Sequence, residues 1–441
     1  MSTDESTMAR APSRAALEPS SPHASASSGH RPWLASAWLA YACALAVAVA
    51  FVSLVSRFAN PIPPQWDGVY YLAMAEPGPS DAAHLVAPFA YRPAMPWLAH
   101  LAAELSSLPT LSGFAVVAWL SAVALLVAVF GLARSLSRRW WHALVPMVLL
   151  GAYFPHVKLP LHFPLLVDVA AYPLMVLATW ALLRRRLGLC LAISGVGLLF
   201  KEFLAVPFAL AVLALAALAV RHRSPRSVAR VVAATTAGVL AVVLPRVLVP
   251  VSETFQFVDP INDPASLRLL LLAPLDELRN FNIVLALVSC WLPTLMLVTR
   301  RRLERVWSKL AEAGALGPVL GSLALVLLLT MYGGTNLGVF VGYTVGVQAV
   351  VLALLVRQGV GRVEIAWAVV AVVATNELLR PIPSPLDGFD AYIDFYGGWS
   401  SRVTVSSVAR LVELVGLVAV AAALRRVLGH PWAASLATRI P

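Results

Sequence analysis

Long apolar runs separated by short polar breaks fill this chain from residue 33 to residue 424. Twelve stand out, near residues 33–55, 112–133, 140–157, 164–183, 187–200, 203–220, 229–250, 283–299, 316–332, 337–356, 363–379 and 403–424. Most are about 17 to 25 residues long, enough for a helix to cross a hydrocarbon core roughly 30 Å thick. A membrane β-barrel would show short alternating segments instead. The pattern therefore predicts an all-α, polytopic integral membrane protein with about twelve transmembrane helices. Pro155, Pro160, Pro164 and Pro173 interrupt the third and fourth runs. That region is expected to be irregular and partly re-entrant, which a membrane protein tolerates where other protein or a water-filled cavity covers the backbone.

The polar breaks alternate in charge. Basic residues gather at Arg134, Arg138 and Arg139, at Arg184–Arg186, at Arg221–Arg230, at Arg300–Lys309, at Arg357 and Arg362, and at Arg425 and Arg426. The breaks between them hold fewer cations and most of the acids. The positive-inside rule then places both termini in the cytoplasm. The expected location is the inner (plasma) membrane, with any chemistry on its outer, periplasmic side. Residues 1–32 and 425–441 are expected to be cytoplasmic tails, the first disordered because it is rich in Ser, Ala, Pro and His. The transmembrane domain is 33–424.

Composition agrees with this class. The 441 residues are 60% hydrophobic and 12% charged, where a soluble protein carries about 25% charge. The net charge of +11 is accounted for by the basic loops, so no nucleic-acid partner is expected. Cys43, Cys190 and Cys290 lie in apolar stretches without metal or disulfide spacing, and read as core filler. The basic loops contain no phosphate-binding glycine loop.

The unusual residues collect on the predicted outer face. Directly after the first run comes NPIPPQWDGVYYLAMAEPG, residues 60–78. A short helix starting at Pro64 would put Asp67, Tyr70 and Tyr71 on one face. That face could hold an acceptor hydroxyl against a general base, with rings to pack on a sugar. Equally, an acid in a first helical turn serves the helix dipole, and Trp and Tyr are ordinary interface anchors. APFAYRPAMPWLAHLAAELSSL follows. From Pro93, Met95, Leu98, Leu101, Ala102 and Leu105 recur at helical spacing, as in a helix lying in the interface. Arg92 precedes it, where helix N–H groups already favour an anion. It can act as a phosphate clamp or snorkel to lipid headgroups.

WDGVYYLAMA followed by PFAYRPAMPWLA resembles the first outer loop of the GT-C glycosyltransferases, polytopic enzymes that use polyprenyl-linked sugars. The likeness is strongest to bacterial relatives of the polyprenyl-phosphate-sugar-dependent mannosyltransferases. It covers residues 33 to about 220 in motif and layout, and only topology beyond. The resemblance implies a GT-C-like fold with juxtamembrane helices in the first outer loop, and a catalytic acid there, which by position is Asp67. It implies a polyprenyl-phosphate sugar as donor and a hydroxyl acceptor of unknown kind as partners, with Trp66, Tyr70 and Tyr71 lining the site.

Further charges can complete such a site. YFPHVKLPLHFPLLVDVAAYP, residues 153–173, holds His156, Lys158, His162 and Asp168. Intramembrane acids are costly and functional by default, though Asp168 can also be a packing carboxylate paired with a base. Two histidines and one acid on a prolyl backbone make a poor metal spacing, so no cofactor is expected. GLLFKEFLAVP places Lys201 and Glu202 between two runs, either facing a cavity or forming a solvated tip. Residues 252–282 suggest an outer lid with a short helix at Leu267–Leu272, and NELLRPIPSPLDGFDAYIDFYGGWSSR holds Arg380 and four acids. Arg410 and Glu413, three apart, are expected to pair.

The expected chemistry is inverting single displacement. Donor phosphate rests on Arg92, helped by Lys201 and by Lys158 or Arg380, and Asp67 takes the acceptor's proton. Asp168 and Glu202 complete the substrate-binding set. The alternatives are a transporter or flippase of lipid-linked sugars, and a surface-polysaccharide assembly protein, polymerase or ligase.

Overall fold

The computed structural model describes residues 32–428 except 65–66, 77–85, 88, 138, 223–224, 249–252, 255–271, 333–335, 385–387, 389, 393–394 and 396–404. Residues 1–31 and 429–441, Trp66, most of the expected lid with positions 267–271 of its helix, and much of the last outer loop lie outside the described residues, while 425–428, expected as tail, continue α17.

The described chain is helical, with one two-residue parallel bridge between β1, Val86–Ala87, and β2, Glu253–Thr254. The helices are α1 Pro32–Ser56, α2 Gly68–Ala75, α3 Ala94–Ser106, α4 Thr110–Leu136, α5 Leu144–Gly151 and α6 Lys158–His162. They continue with α7 Asp168–Leu183, α8 Leu187–Leu198, α9 Ala205–His222, α10 Pro225–Leu248, α11 Glu277–Leu297 and α12 Arg300–Glu312. The last are α13 Leu316–Tyr332, α14 Leu337–Gly342, α15 Val345–Arg357, α16 Arg362–Thr375 and α17 Val405–Leu428.

Every predicted apolar run carries helix. Among the described residues, five helical stretches are long and apolar enough to cross a membrane: Ala37–Ser56, Thr110–Leu136, Glu202–His222, Pro225–Leu248 and Arg279–Leu297. The bent pair α12 and α13 would make six. The twelfth run carries the unbroken 24-residue α17, and the remaining runs are shorter helices or helices broken in two. The third run ends at Gly151, before Pro155, and the tenth divides at Gly342–Val345. Twelve crossings are therefore more than helix length and composition supply.

Two segments are buried without interruption. One is 337–356, where α14 and α15 are covered on all sides. It packs against α4, α5, α7 and α11. The other is 151–173, the proline-interrupted region, which protein covers throughout. Apart from Asp168, its polar side chains are tied to backbone. The His162 ring reaches the Ala59 carbonyl oxygen at 2.6 Å, and the His156 ring reaches Leu150 O at 2.7 Å and Gly342 O at 3.1 Å.

The first loop differs from expectation at two helices. The helix after α1 starts at Gly68, not Pro64, so Asp67 occupies its N-cap position. In α3, Trp97, Leu98, Leu101 and Leu105 face outward, while Met95, Ala99 and Ala103 pack inward. Small residues let α3 lie close to α4, and the large apolar ones are left on the exposed side, which suits lipid.

Candidate functional site

Asp67 stands where the first loop meets the buried proline-rich segment. The chain leaves α1 through Asn60, whose φ of 49° turns it back, and Ile62 N–H donates to His162 O at 3.0 Å. Gly68 then lies against that segment. A Cβ there would sit 2.9 Å from both Leu165 and Phe163, closer than real side chains approach. Glycine after Asp67 is thus a packing requirement, and it brings the start of α2 down onto the segment leading into α7.

The Asp67 carboxylate does not cap α2. It makes no side-chain capping hydrogen bond, and its backbone is helical, φ −62° and ψ −20°. A capping residue normally has extended backbone that aims its oxygen at the next free N–H groups. Asp276 does so before α11: with ψ 107° its carboxylate accepts from Arg279 N–H at 3.0 Å. Asp67 also forms no ion pair among the described residues. Burial raises its carboxyl above the usual carboxylate range, opposed by the nearby cations Lys201 and Arg92 and reinforced by Asp168.

Two ion pairs border this acid. Arg92 donates through Nε to Glu202 Oε1 at 2.9 Å and through a terminal nitrogen to the Tyr71 hydroxyl at 3.0 Å. Burial works against the Arg92 charge, but Glu202 and Tyr71 more than reverse that, so it stays cationic. Tyr71 is buried and meets Phe89 edge-on, while Tyr70 stacks on the same Phe89 ring at 5.2 Å. Lys201 pairs with Asp168 at 3.2 Å, both almost fully buried. Lys201 has extended backbone, φ −159° and ψ 141°. Neighbouring side chains leave such a backbone in opposite directions, which is how Lys201 reaches Asp168 while Glu202 reaches Arg92. Lys201 is buried rather than solvated, while the Glu202 side chain stays 41% exposed. Asp168 is the carboxylate paired with a base, in the first turn of α7 where the dipole favours an acid.

Tyr343, which the sequence reading passed over, completes this cluster. It lies in the break between α14 and α15, and its hydroxyl donates to Asp168 Oδ1 at 2.8 Å. Its ring stacks on Phe203 at 4.5 Å, and Phe203 stacks on Phe340 at 5.3 Å. Lys201 Nζ lies 5.3 Å from the Phe340 ring centre. A lone phenol within VGYTVG was the available signal, because a buried tyrosine hydroxyl needs a partner.

Lys158 and Arg380 belong to a second group. Lys158 Nζ donates to the carbonyl oxygens of Glu377 and Arg380, at the end of α16. Burial lowers its ammonium to about 8. Arg380 pairs with Glu377 at 3.2 Å, and both cations lie near the Phe395 ring. The geometry thus unites Asp67, Tyr71, Arg92, Asp168, Lys201 and Glu202, and sets Lys158 and Arg380 on another network. Among the described residues no group of three His, Cys, Asp or Glu side chains is placed to hold a metal ion. Arg410 turns inward, its Nε 3.4 Å from Ser289 Oγ.

No known protein family, curated protein or solved structure matches this chain.

The cluster holds three carboxylates and two cations. Arg92 and Lys201 are matched by Glu202 and Asp168, which leaves Asp67 as the surplus negative charge. A carboxylate that is uncapped, partly desolvated and bordered by cations can accept a proton from a bound hydroxyl. A guanidinium has five N–H donors, so Arg92 keeps capacity for an anion beyond its contacts with Glu202 and Tyr71.

Proposed function

We propose that this protein is a membrane glycosyltransferase that moves a sugar from a polyprenyl-phosphate donor to an acceptor hydroxyl at the outer face of the membrane. The observation that carries the reading is the Asp67 carboxylate, free of the capping bond its position invites and set beside Arg92 and Lys201. In the reaction the acceptor O–H gives its proton to Asp67 while its oxygen bonds to the anomeric carbon. The bond from that carbon to the phosphate oxygen breaks, and the phosphate leaves with the electron pair. A phosphate anion needs no general acid, unlike the leaving group of a two-carboxylate glycosidase. Arg92, with Lys201 beside it, stabilises the charge developing on the departing oxygen. One displacement inverts the sugar.

The fold proposed with this activity is GT-C-like, with twelve crossings and both termini cytoplasmic. The shorter helices α5, α7, α8 and α14–α16 complete crossings inside a shell of longer ones. The alternating basic loops and the likeness of WDGVYY and PFAYRP support it. The test is sugar transfer by purified, lipid-reconstituted protein supplied with radiolabelled polyprenyl-phosphate hexose and a membrane extract as acceptor.

One observation favours a second reading, a transporter of lipid-linked sugars. The break at Gly342–Val345 sets Tyr343 beside the buried Asp168–Lys201 pair, and discontinuous helices of this kind form transporter binding sites. Movement of labelled lipid-linked sugar between leaflets without transfer, unchanged in Asp67→Asn, would select that reading.

A further inference from the structure

On the basic side of the molecule, α12 has the sequence RRRLERVWSKLAE, with five cations and two acids in thirteen residues. It does not continue into α13. The chain turns by 110° between them. Gly314, at φ +64°, makes the turn, and Ala315 N–H closes it on Leu310 O at 2.8 Å. If α13 stands across the membrane, α12 lies close to its plane. Val306 and Leu310 pack inward, and Arg302 holds α12 to α16 through both oxygens of Glu364, at 3.1 and 2.9 Å. Arg300 is offset by Glu304. Arg301, Arg305 and Lys309 have no acidic partner among the described residues, and the first two are exposed.

Beside this helix is a shallow, open crevice of about 60 Å³. Leu183, Leu310 and Leu354 give it an apolar floor, and Lys309, Arg357 and Glu312 stand around it. Cations on an in-plane helix above an apolar crevice match an anionic diacyl lipid. The headgroup phosphate meets the cations, and a chain lies along the leucines. One acid among the crevice's charged residues leaves the site net positive.

We propose that α12 and the crevice beside it bind an anionic phospholipid, at a site separate from Asp67 and independent of the transferase reading. Full-length protein is released from nanodiscs containing equal phosphatidylglycerol and phosphatidylcholine, and retained lipid is measured by native mass spectrometry. Wild type retains phosphatidylglycerol preferentially. A cation near an anionic surface strengthens binding about fivefold, so R301Q/R305Q/K309Q lowers the preference by at least about tenfold. Ala313→Trp, which fills the crevice and leaves the cations, lowers retention in the same direction. R226Q/R230Q, altering another exposed basic segment, leaves it unchanged. Equal retention by wild type and the triple variant would overturn the proposal. So would an equal loss in R226Q/R230Q, or displacement of the lipid by inorganic phosphate. Should the triple variant unfold, full retention by a folded Ala313→Trp would overturn it.

Discussion

Asp67 and Asp276 each precede the first turn of a helix, yet only Asp276 caps one. The difference lies in backbone angle, which a sequence does not display. The residues WDGVYY were enough to single out Asp67 and its aromatic neighbours, and Lys-Glu was enough to single out 201 and 202. The pairings Arg92–Glu202 and Lys201–Asp168 were not legible, because they join residues 110 and 33 positions apart. Tyr343 was missed for the same reason. Four outcomes belong at this scale. Asp67→Asn lowers transfer by about a hundredfold to ten-thousandfold, as for loss of a general base. Because burial raises the folded carboxyl, its ionised form is disfavoured by folding as pH rises through the window above about 3.9. Asp67→Asn should therefore melt no lower than wild type at neutral pH, as calorimetry would show. A base must be deprotonated, so kcat/KM should fall with decreasing pH through a value above that of an ordinary aspartate. A limb at or below the ordinary value would contradict the burial argument. Arg92→Lys keeps the charge but loses the fork that meets Glu202 and Tyr71 together. Transfer should drop by more than tenfold, read as kcat/KM for the lipid-linked donor.

At the scale of elements, every apolar run carries helix and the prolines marked the irregular segment, but α6 and α12 formed in breaks between runs. What they did not reveal is how helices break and re-join inside the protein. Lys158 is the clearest case. As a lone cation at an outer loop it suggested phosphate, and instead it closes the end of α16 by binding two carbonyl oxygens. Lys158→Met leaves those buried acceptors unpaired, at about 1–3 kcal/mol for each buried polar group left without a partner. Its thermal midpoint should fall clearly, while kcat/KM of the protein that remains folded changes little. Loss of catalysis without loss of stability would return Lys158 to the site. Gly68→Val tests the seating of α2 from the other direction. A side chain 2.9 Å from Leu165 and Phe163 must displace α2, which costs about 1–3 kcal/mol of overpacking and moves Asp67. Transfer should fall even at temperatures where the variant is folded.

For the whole molecule, the sequence established a helical membrane protein. Among the described residues, length and apolarity give five helices able to cross a membrane, or six with the bent pair. The twelve crossings proposed need the shorter helices as well, which is physically allowed because a helix sheltered by others need not be long or wholly apolar. The charge pattern supplies the test. In a cysteine-free background, a cysteine replacing Glu76 should be labelled by an impermeant maleimide from the outside of intact cells. One replacing Arg362 should be labelled only after the membrane is opened. Labelling of both from the same side would reverse the sidedness assigned to Asp67. The most direct measurement is transfer of radiolabelled hexose from its polyprenyl phosphate by reconstituted wild type and Asp67→Asn, side by side and equally folded. The account predicts inverted product from wild type and almost none from Asp67→Asn. Equal transfer by both proteins would contradict it, and would leave Asp67 without a catalytic role.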